Sequence, residues 1–197
     1  MDAAARGKAA DWPGHPIGNQ TKRKEKFAMA HAVATPIQTH LGVGDQVPYF
    51  SLPYATREKQ DMVTRISSDD LAGRRYLIVF HPADWSDTCT RQAQGLRDDL
   101  KEFEKFKLEI LLVSGDYIFS RHEWARHLKL PFNMLSDHKH GMGKAFGIYD
   151  EASGFDTRSV FLVDANGRLE YINSRYDATT DKDYLELKAA VMNTKKM

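Results

Sequence analysis

The stretch from Tyr76 to Gln92 reads Tyr-Leu-Ile-Val-Phe-His-Pro-Ala-Asp-Trp-Ser-Asp-Thr-Cys-Thr-Arg-Gln, and it constrains the chain's fold more than any other. Residues 76–80 are all apolar and mostly β-favouring, which predicts a buried strand. Pro82 ends it, since proline brings no N–H to a sheet ladder. Ser86, Asp87 and Thr88 then supply the short polar side chains that begin helices. Ala93, Leu96, Leu100, Phe103 and Phe106 recur at steps of three and four, predicting a helix over 89–106 with one apolar face on the sheet. Cys89, the only cysteine, falls in the first turn of that helix. Unpaired N–H groups and the positive end of the helix dipole gather there, and both favour a thiolate over a thiol.

The remaining pattern extends this unit. Residues 108–114 are predicted to be a second strand, parallel to the first and reached by a right-handed crossover. Upstream, 42–52 reads as a loop entering an extended segment, 57–67 as an edge hairpin and 68–73 as a helical turn closed by Gly73. Downstream, a helix around 121–129 is stopped by Pro131, followed by a short strand at 132–135 and a short helix at 139–146. Strands 158–163 and 168–172 are joined through Asn166-Gly167, a hairpin signal, and 181–192 reads as a closing helix. A parallel unit followed by a hairpin and a helix predicts a thioredoxin-like α/β fold, a three-layer sandwich around a central mixed sheet.

Two domains of behaviour are expected: a flexible N-terminal tail over 1–40 and a folded domain over 41–197. The tail is rich in Ala, Gly, Pro, His and Gln, carries a basic cluster at 21–26 and sustains no apolar periodicity. It has no apolar core of the secretory kind, Asp2, Asp11 and Glu25 argue against an organelle transit peptide, and Met29 is an alternative start. The 197 residues carry 28 basic and 27 acidic side chains, a formal net charge of +1, so neither nucleic acid nor a membrane surface is expected as partner. A single cysteine excludes an internal disulfide and makes the reducing cytoplasm the default compartment. Asp137-His138-Lys139-His140 invites a metal reading, but two histidines without a further soft ligand read as a solvated loop, and no metal is expected.

Pro82, Ser86 and Cys89 have the spacing Pro-x-x-x-Thr/Ser-x-x-Cys, and the chain resembles the peroxiredoxins, of the alkyl hydroperoxide reductase/thiol-specific antioxidant group. The resemblance extends in order through Gly44-Asp45-Gln46-Val47-Pro48-Tyr49-Phe50-Ser51-Leu52, Leu112 to Asp116, Leu130 to Asp137, Ala145 to Ile148 and Arg158 to Asp164, covering about residues 41–175. It implies a thiol-dependent peroxidase acting on hydrogen peroxide and organic hydroperoxides. Cys89 would be the nucleophile, Ser86 the hydroxyl that orients the peroxide, Pro82 the shield of the loop and Arg158 the electrostatic stabiliser. Lowering a thiol from about 8.5 to near 6 takes roughly 3 kcal/mol, of which a helix start supplies up to about 2. A cation such as Arg158 would supply the rest. No bound cofactor is implied.

Four positions depart from the family pattern. His81 stands for a tyrosine, either as a second cation or as a filler of the same space. Gln92 stands for a glutamate, Ser86 for a threonine, and Gln94 occupies the place where related chains carry a resolving cysteine. The sulfenic acid formed at Cys89 must then be reduced by an outside thiol: a thioredoxin-like protein, a glutaredoxin-like protein or a low-molecular-weight thiol. Trp85 and Phe119, with His81, are candidates to line a pocket for the peroxide. Family habit implies a homodimer. The alternative function is a redox sensor on the same fold, using oxidation of Cys89 as a switch. Disulfide reduction is disfavoured without a Cys-x-x-Cys, and no Gly-x-Ser-x-Gly elbow supports a hydrolase.

Overall fold

The computed structural model describes residues 39–193. The chain divides into two units, Met1–Pro36 and Ile37–Met197. The first unit, and with it nearly all of the tail expected over 1–40, lies outside the described residues.

Among the described residues, nine strands and five α-helices follow in the order β1 Ser51–Ala55, β2 Gln60–Ser67, β3 Arg75–Phe80, α1 Asp87–Asp98, α2 Leu100–Glu104, β4 Leu108–Ser114, α3 Ile118–Leu128, β5 Asn133–Ser136, α4 Gly141–Ala145, β6 Tyr149–Asp150, β7 Phe155–Asp156, β8 Ser159–Val163, β9 Leu169–Asn173 and α5 Asp181–Met192. Seven strands form one sheet in the order β2-β1-β5-β4-β3-β8-β9. β4 lies parallel to both β3 and β5, while β8 lies antiparallel to β3, so the sheet is mixed.

Alternation along β3 feeds two separate cores, as a pleated strand requires. Leu77 and Val79 pack with Ala93 and Leu96 of α1, Trp124 and Ala125 of α3, and Leu187 and Val191 of α5. Tyr76, Ile78 and Phe80 pack on the opposite face with Val47, Phe50, Leu71, Met142 and Phe146. Helices on both faces of the sheet make the thioredoxin-like three-layer sandwich. Burial on both sides explains why β3 is a continuous apolar run rather than an alternating one.

Several boundaries differ from the sequence reading. The helix expected over 89–106 is two helices, broken at Asp99, whose ψ of 7° departs from helical geometry. The Asp99 carboxylate accepts from the Tyr184 hydroxyl at 2.7 Å and from Lys188 Nζ at 3.0 Å, fastening the break to α5. Asp99→Ala should therefore cost about 1–2 kcal/mol in urea unfolding, from loss of these bonds, with little change at the distant Cys89. α3 begins three residues earlier than expected and is closed by Lys129, which adopts the left-handed conformation at φ 55°, before Pro131 is reached. The edge hairpin joins β1 to β2 rather than lying within 57–67. The two-residue strands β6 and β7 are too short to leave a periodic signal, and no strand is expected there from the sequence.

Candidate active site

Register explains how two distant residues meet. Phe80, the last residue of β3, lies opposite Ser159, the first of β8. The loop that leaves β3 and Arg158, which enters β8, therefore emerge from the same end of the sheet. There Arg158 Nη2 donates to Cys89 Sγ at 3.1 Å. Its other terminal nitrogen donates to the Gln92 amide oxygen, one turn further along α1. A planar fork held at both prongs is a guanidinium with little freedom to turn.

Ser86 caps α1. Its carbonyl accepts from Thr90 N at 2.9 Å, and its hydroxyl accepts from Cys89 N at 3.4 Å while donating to the Ala83 carbonyl at 3.3 Å. The sulfur thus sits in the first turn, where the helix field is most positive. Cys89 is only 2 % exposed, with Leu77, Val79, Ala93 and Val160 in the same apolar cluster. One side of the thiol is enclosed by hydrocarbon and the other faces a cation. Pro82 is half-buried in the loop between β3 and the cap.

The aromatic candidates lie at the surface. Trp85 is 50 % exposed and Phe119 54 % exposed. Trp85 also has a left-handed backbone, φ 65°, which is strained for a bulky side chain. Its indole N–H donates to Ser120 Oγ at 3.1 Å.

Of the two readings of His81, its surroundings favour the filler of space, while its place among the pocket-lining residues is corrected. At 1 % exposure it does not line an opening to solvent. Burial, reinforced by Arg121 and Arg158, pushes its pKa well below the usual value, so it is neutral and not a second cation. Its ring packs against Trp124 with centroids 5.1 Å apart, filling space as an aromatic would. The segment 137–140 is a turn with His138 and Lys139 exposed, as expected, but its two ends are anchored in the protein. Asp137 is buried and accepts from Gly143 N at 2.8 Å, and His140 Nδ1 pairs with the buried Asp156 at 3.1 Å. Among the described residues no cluster of three or more His, Cys, Asp or Glu side chains offers a metal site.

A second arginine escaped the sequence reading. Arg121 of α3 is wholly buried; its Nη1 donates to Asp84 Oδ1 at 2.9 Å and to Ser114 Oγ, and its Nη2 donates to the Leu112 carbonyl at 2.6 Å. His81 Nε2 lies 3.3 Å from the same Nη1 and, in a neutral ring, accepts from it. The available signal was a charged residue on the stripe formed by Ile118, Ala125 and Leu128, where a core side chain belongs.

Burial raises the Asp84 carboxyl from 3.8 to about 6, with Asp116 adding to the rise and Arg121 opposing it. The folded chain therefore holds this proton more tightly than the unfolded chain. The resulting stability is fully present below 3.8 and is lost as pH rises through about 6. Urea midpoints measured across that window should fall with rising pH in the wild type and change less in Asp84→Asn.

Residues 43–172 match the AhpC/TSA family. The chain is 32 % identical over 149 residues to peroxiredoxin Bcp of Escherichia coli K12, covering 73 % of this chain and 92 % of that one. It is also 32 % identical over 130 residues to the chloroplastic peroxiredoxin Q of Oryza sativa subsp. japonica, covering 66 % of this chain and 57 % of that protein. Among solved structures, peroxidoxin BcpB of Mycobacterium tuberculosis superposes with a TM-score of 0.69 at 22 % identity, over 80 % of this chain and all of the other. The AhpC of Mycobacterium bovis superposes at 0.64 with 29 % identity, over 83 % and 97 %. With a cysteine at a helix start, an arginine on its sulfur and a family match across most of the folded domain, this chain belongs to the AhpC/TSA family, the peroxiredoxins.

Proposed function

We propose that this peroxiredoxin, a thiol-dependent peroxidase, reduces hydrogen peroxide and organic hydroperoxides at Cys89 and is recycled by an external thiol. The observation that carries the reading is the guanidinium of Arg158 at 3.1 Å from the sulfur, in the first turn of α1. The thiolate attacks one peroxide oxygen; an S–O bond forms as the O–O bond breaks. The departing oxygen leaves with the electron pair as hydroxide or alkoxide and takes up a proton, giving water or an alcohol. Arg158 and the N–H groups at the helix start oppose the negative charge on that oxygen. Ser86 orients the peroxide through its hydroxyl, Pro82 keeps bulk water from the sulfur, and exposed Trp85 and Phe119 receive the organic part of larger substrates.

With a single cysteine in the chain, one external thiol displaces water from the sulfenic acid to form a mixed disulfide. A second thiol releases Cys89 and leaves as the disulfide. We place the enzyme in the cytoplasm, as a homodimer, with residues 1–40 as an appended tail. The test is turnover: with excess peroxide and a dithiol or thioredoxin-type reductant, many equivalents should be consumed per chain. A single equivalent under every reductant would instead favour a redox switch.

Gln92 tunes this site. Gln92→Glu places a carboxylate on the prong of Arg158 that now holds a neutral amide, and charge on one prong is shared with the other. The rate constant with hydrogen peroxide should fall about three- to tenfold, a change of roughly 1 kcal/mol, measured by stopped flow.

A further inference from the structure

We propose that Arg121 and Asp84 are positioning residues of the peroxidase site, a buried pair through which α3 sets the conformation of the loop that delivers Ser86 and Cys89. This rests on the reading of Cys89 as the nucleophile. The loop is fastened at successive residues. Asp84 N donates to Asp116 Oδ2 at 2.7 Å, and that oxygen also accepts from Ser114 Oγ at 2.9 Å. The Asp84 side chain accepts from Arg121 at 2.9 Å and from Ser120 Oγ at 3.5 Å. Trp85 reaches the same Ser120 hydroxyl at 3.1 Å.

The bonds made by Asp84 and Trp85 fall on and beside the strained left-handed backbone at Trp85, and the next residue is the helix cap. Strain of this kind persists only where surrounding contacts over-determine it. Release the tether and the loop is free to relax, shifting Ser86 and Cys89 together relative to Arg158, which comes from the start of β8.

A buried ion pair is a poor device for stability alone, because apolar residues of similar volume serve as well or better. What the pair adds is direction. Arg121 meets the Asp84 carboxylate with a planar fork held on Leu112 and Ser114, which fixes the direction of the loop as an apolar side chain would not. The Arg121 Nε atom is buried and has no partner, so the guanidinium is not arranged to satisfy itself fully. Its other donors are spent on the loop, the β4 carbonyl of Leu112 and Ser114.

Asp84 is faced by Arg121 and Ser120 of α3, by Asp116 beyond β4 and by neutral His81 at the end of β3.

The test is the double variant Arg121→Met with Asp84→Leu, compared with the wild type and Cys89→Ser in the full chain. Removing both charges avoids leaving either one buried and unpaired, so the fold is expected to survive with a normal melting curve. The second-order rate constant with hydrogen peroxide should nevertheless fall about 10²-fold, the cost of misplacing the reacting groups. A double variant that reacts at the wild-type rate overturns the positioning role. If it fails to fold, Asp84→Asn decides. That variant keeps the shape but gives Arg121 a neutral partner, so its rate constant with hydrogen peroxide at neutral pH should fall about tenfold while its melting curve stays normal. An unchanged rate overturns the proposal. Should Cys89→Ser react as fast as the wild type, it is the nucleophile's assignment that fails.

Discussion

Cys89→Ser should abolish peroxide consumption, lowering the rate constant by about 10⁴-fold or more. The proposed reaction needs an ionised nucleophile beside Arg158, and a serine hydroxyl is far too weak an acid to provide one. Serine occupies nearly the same volume, and the position is 2 % exposed in an otherwise intact cluster. Thermal unfolding should therefore shift by no more than about 1–2 kcal/mol, which separates loss of chemistry from loss of fold. Stopped-flow consumption of hydrogen peroxide and of an alkyl hydroperoxide, with circular-dichroism melts of both proteins, reads the two quantities independently. Comparable rates in the two proteins would remove sulfur from the reaction.

Arg158→Met is next in size. Arg158 is the only side chain seen donating to the sulfur among the described residues, at 3.1 Å. Losing it should lower the rate about 10²- to 10³-fold, the usual cost of deleting one preorganised donor to a developing oxyanion. Stability should change little, because Arg158 is only half-buried and its amide partner Gln92 stays neutral. Arg158→Lys should recover only part of the rate. An ammonium carries the charge but lacks the fork that joins Gln92 to Cys89. Peroxide kinetics of the two variants beside the wild type check both statements; full recovery by lysine would mean that charge alone suffices.

The central unit could be read from the chain because its signals are local. Tyr76 to Phe80 is apolar without interruption, Pro82 stops it, and Ser86 stands three residues before Cys89 where a cap belongs. The meeting of Arg158 with Cys89 was available only through the family resemblance, since antiparallel register between β3 and β8 is a tertiary fact. The break at Asp99 was hidden for a related reason: Leu100, Phe103 and Phe106 continue the helical spacing, and the partners that hold the break lie in α5. His81 and Arg121 were hardest. Each carries a polar group that sequence assigns to the surface or to catalysis, and each is buried in a network in which the other, with Asp84 and Ser114, partners some of its polar atoms. Such networks have no fixed spacing along a chain, and only the assembled fold brings their members together.

Single-turnover oxidation of the reduced protein by hydrogen peroxide at neutral pH, followed by stopped flow with the product mass checked after trapping with dimedone, tests the central claim most directly. The arrangement of helix start and guanidinium around the sulfur predicts a rate constant at least about 10²-fold above that of free cysteine, with the trapped adduct on Cys89. A rate equal to that of free cysteine would contradict it, because the sulfur would then gain nothing from Arg158 or from the first turn of α1.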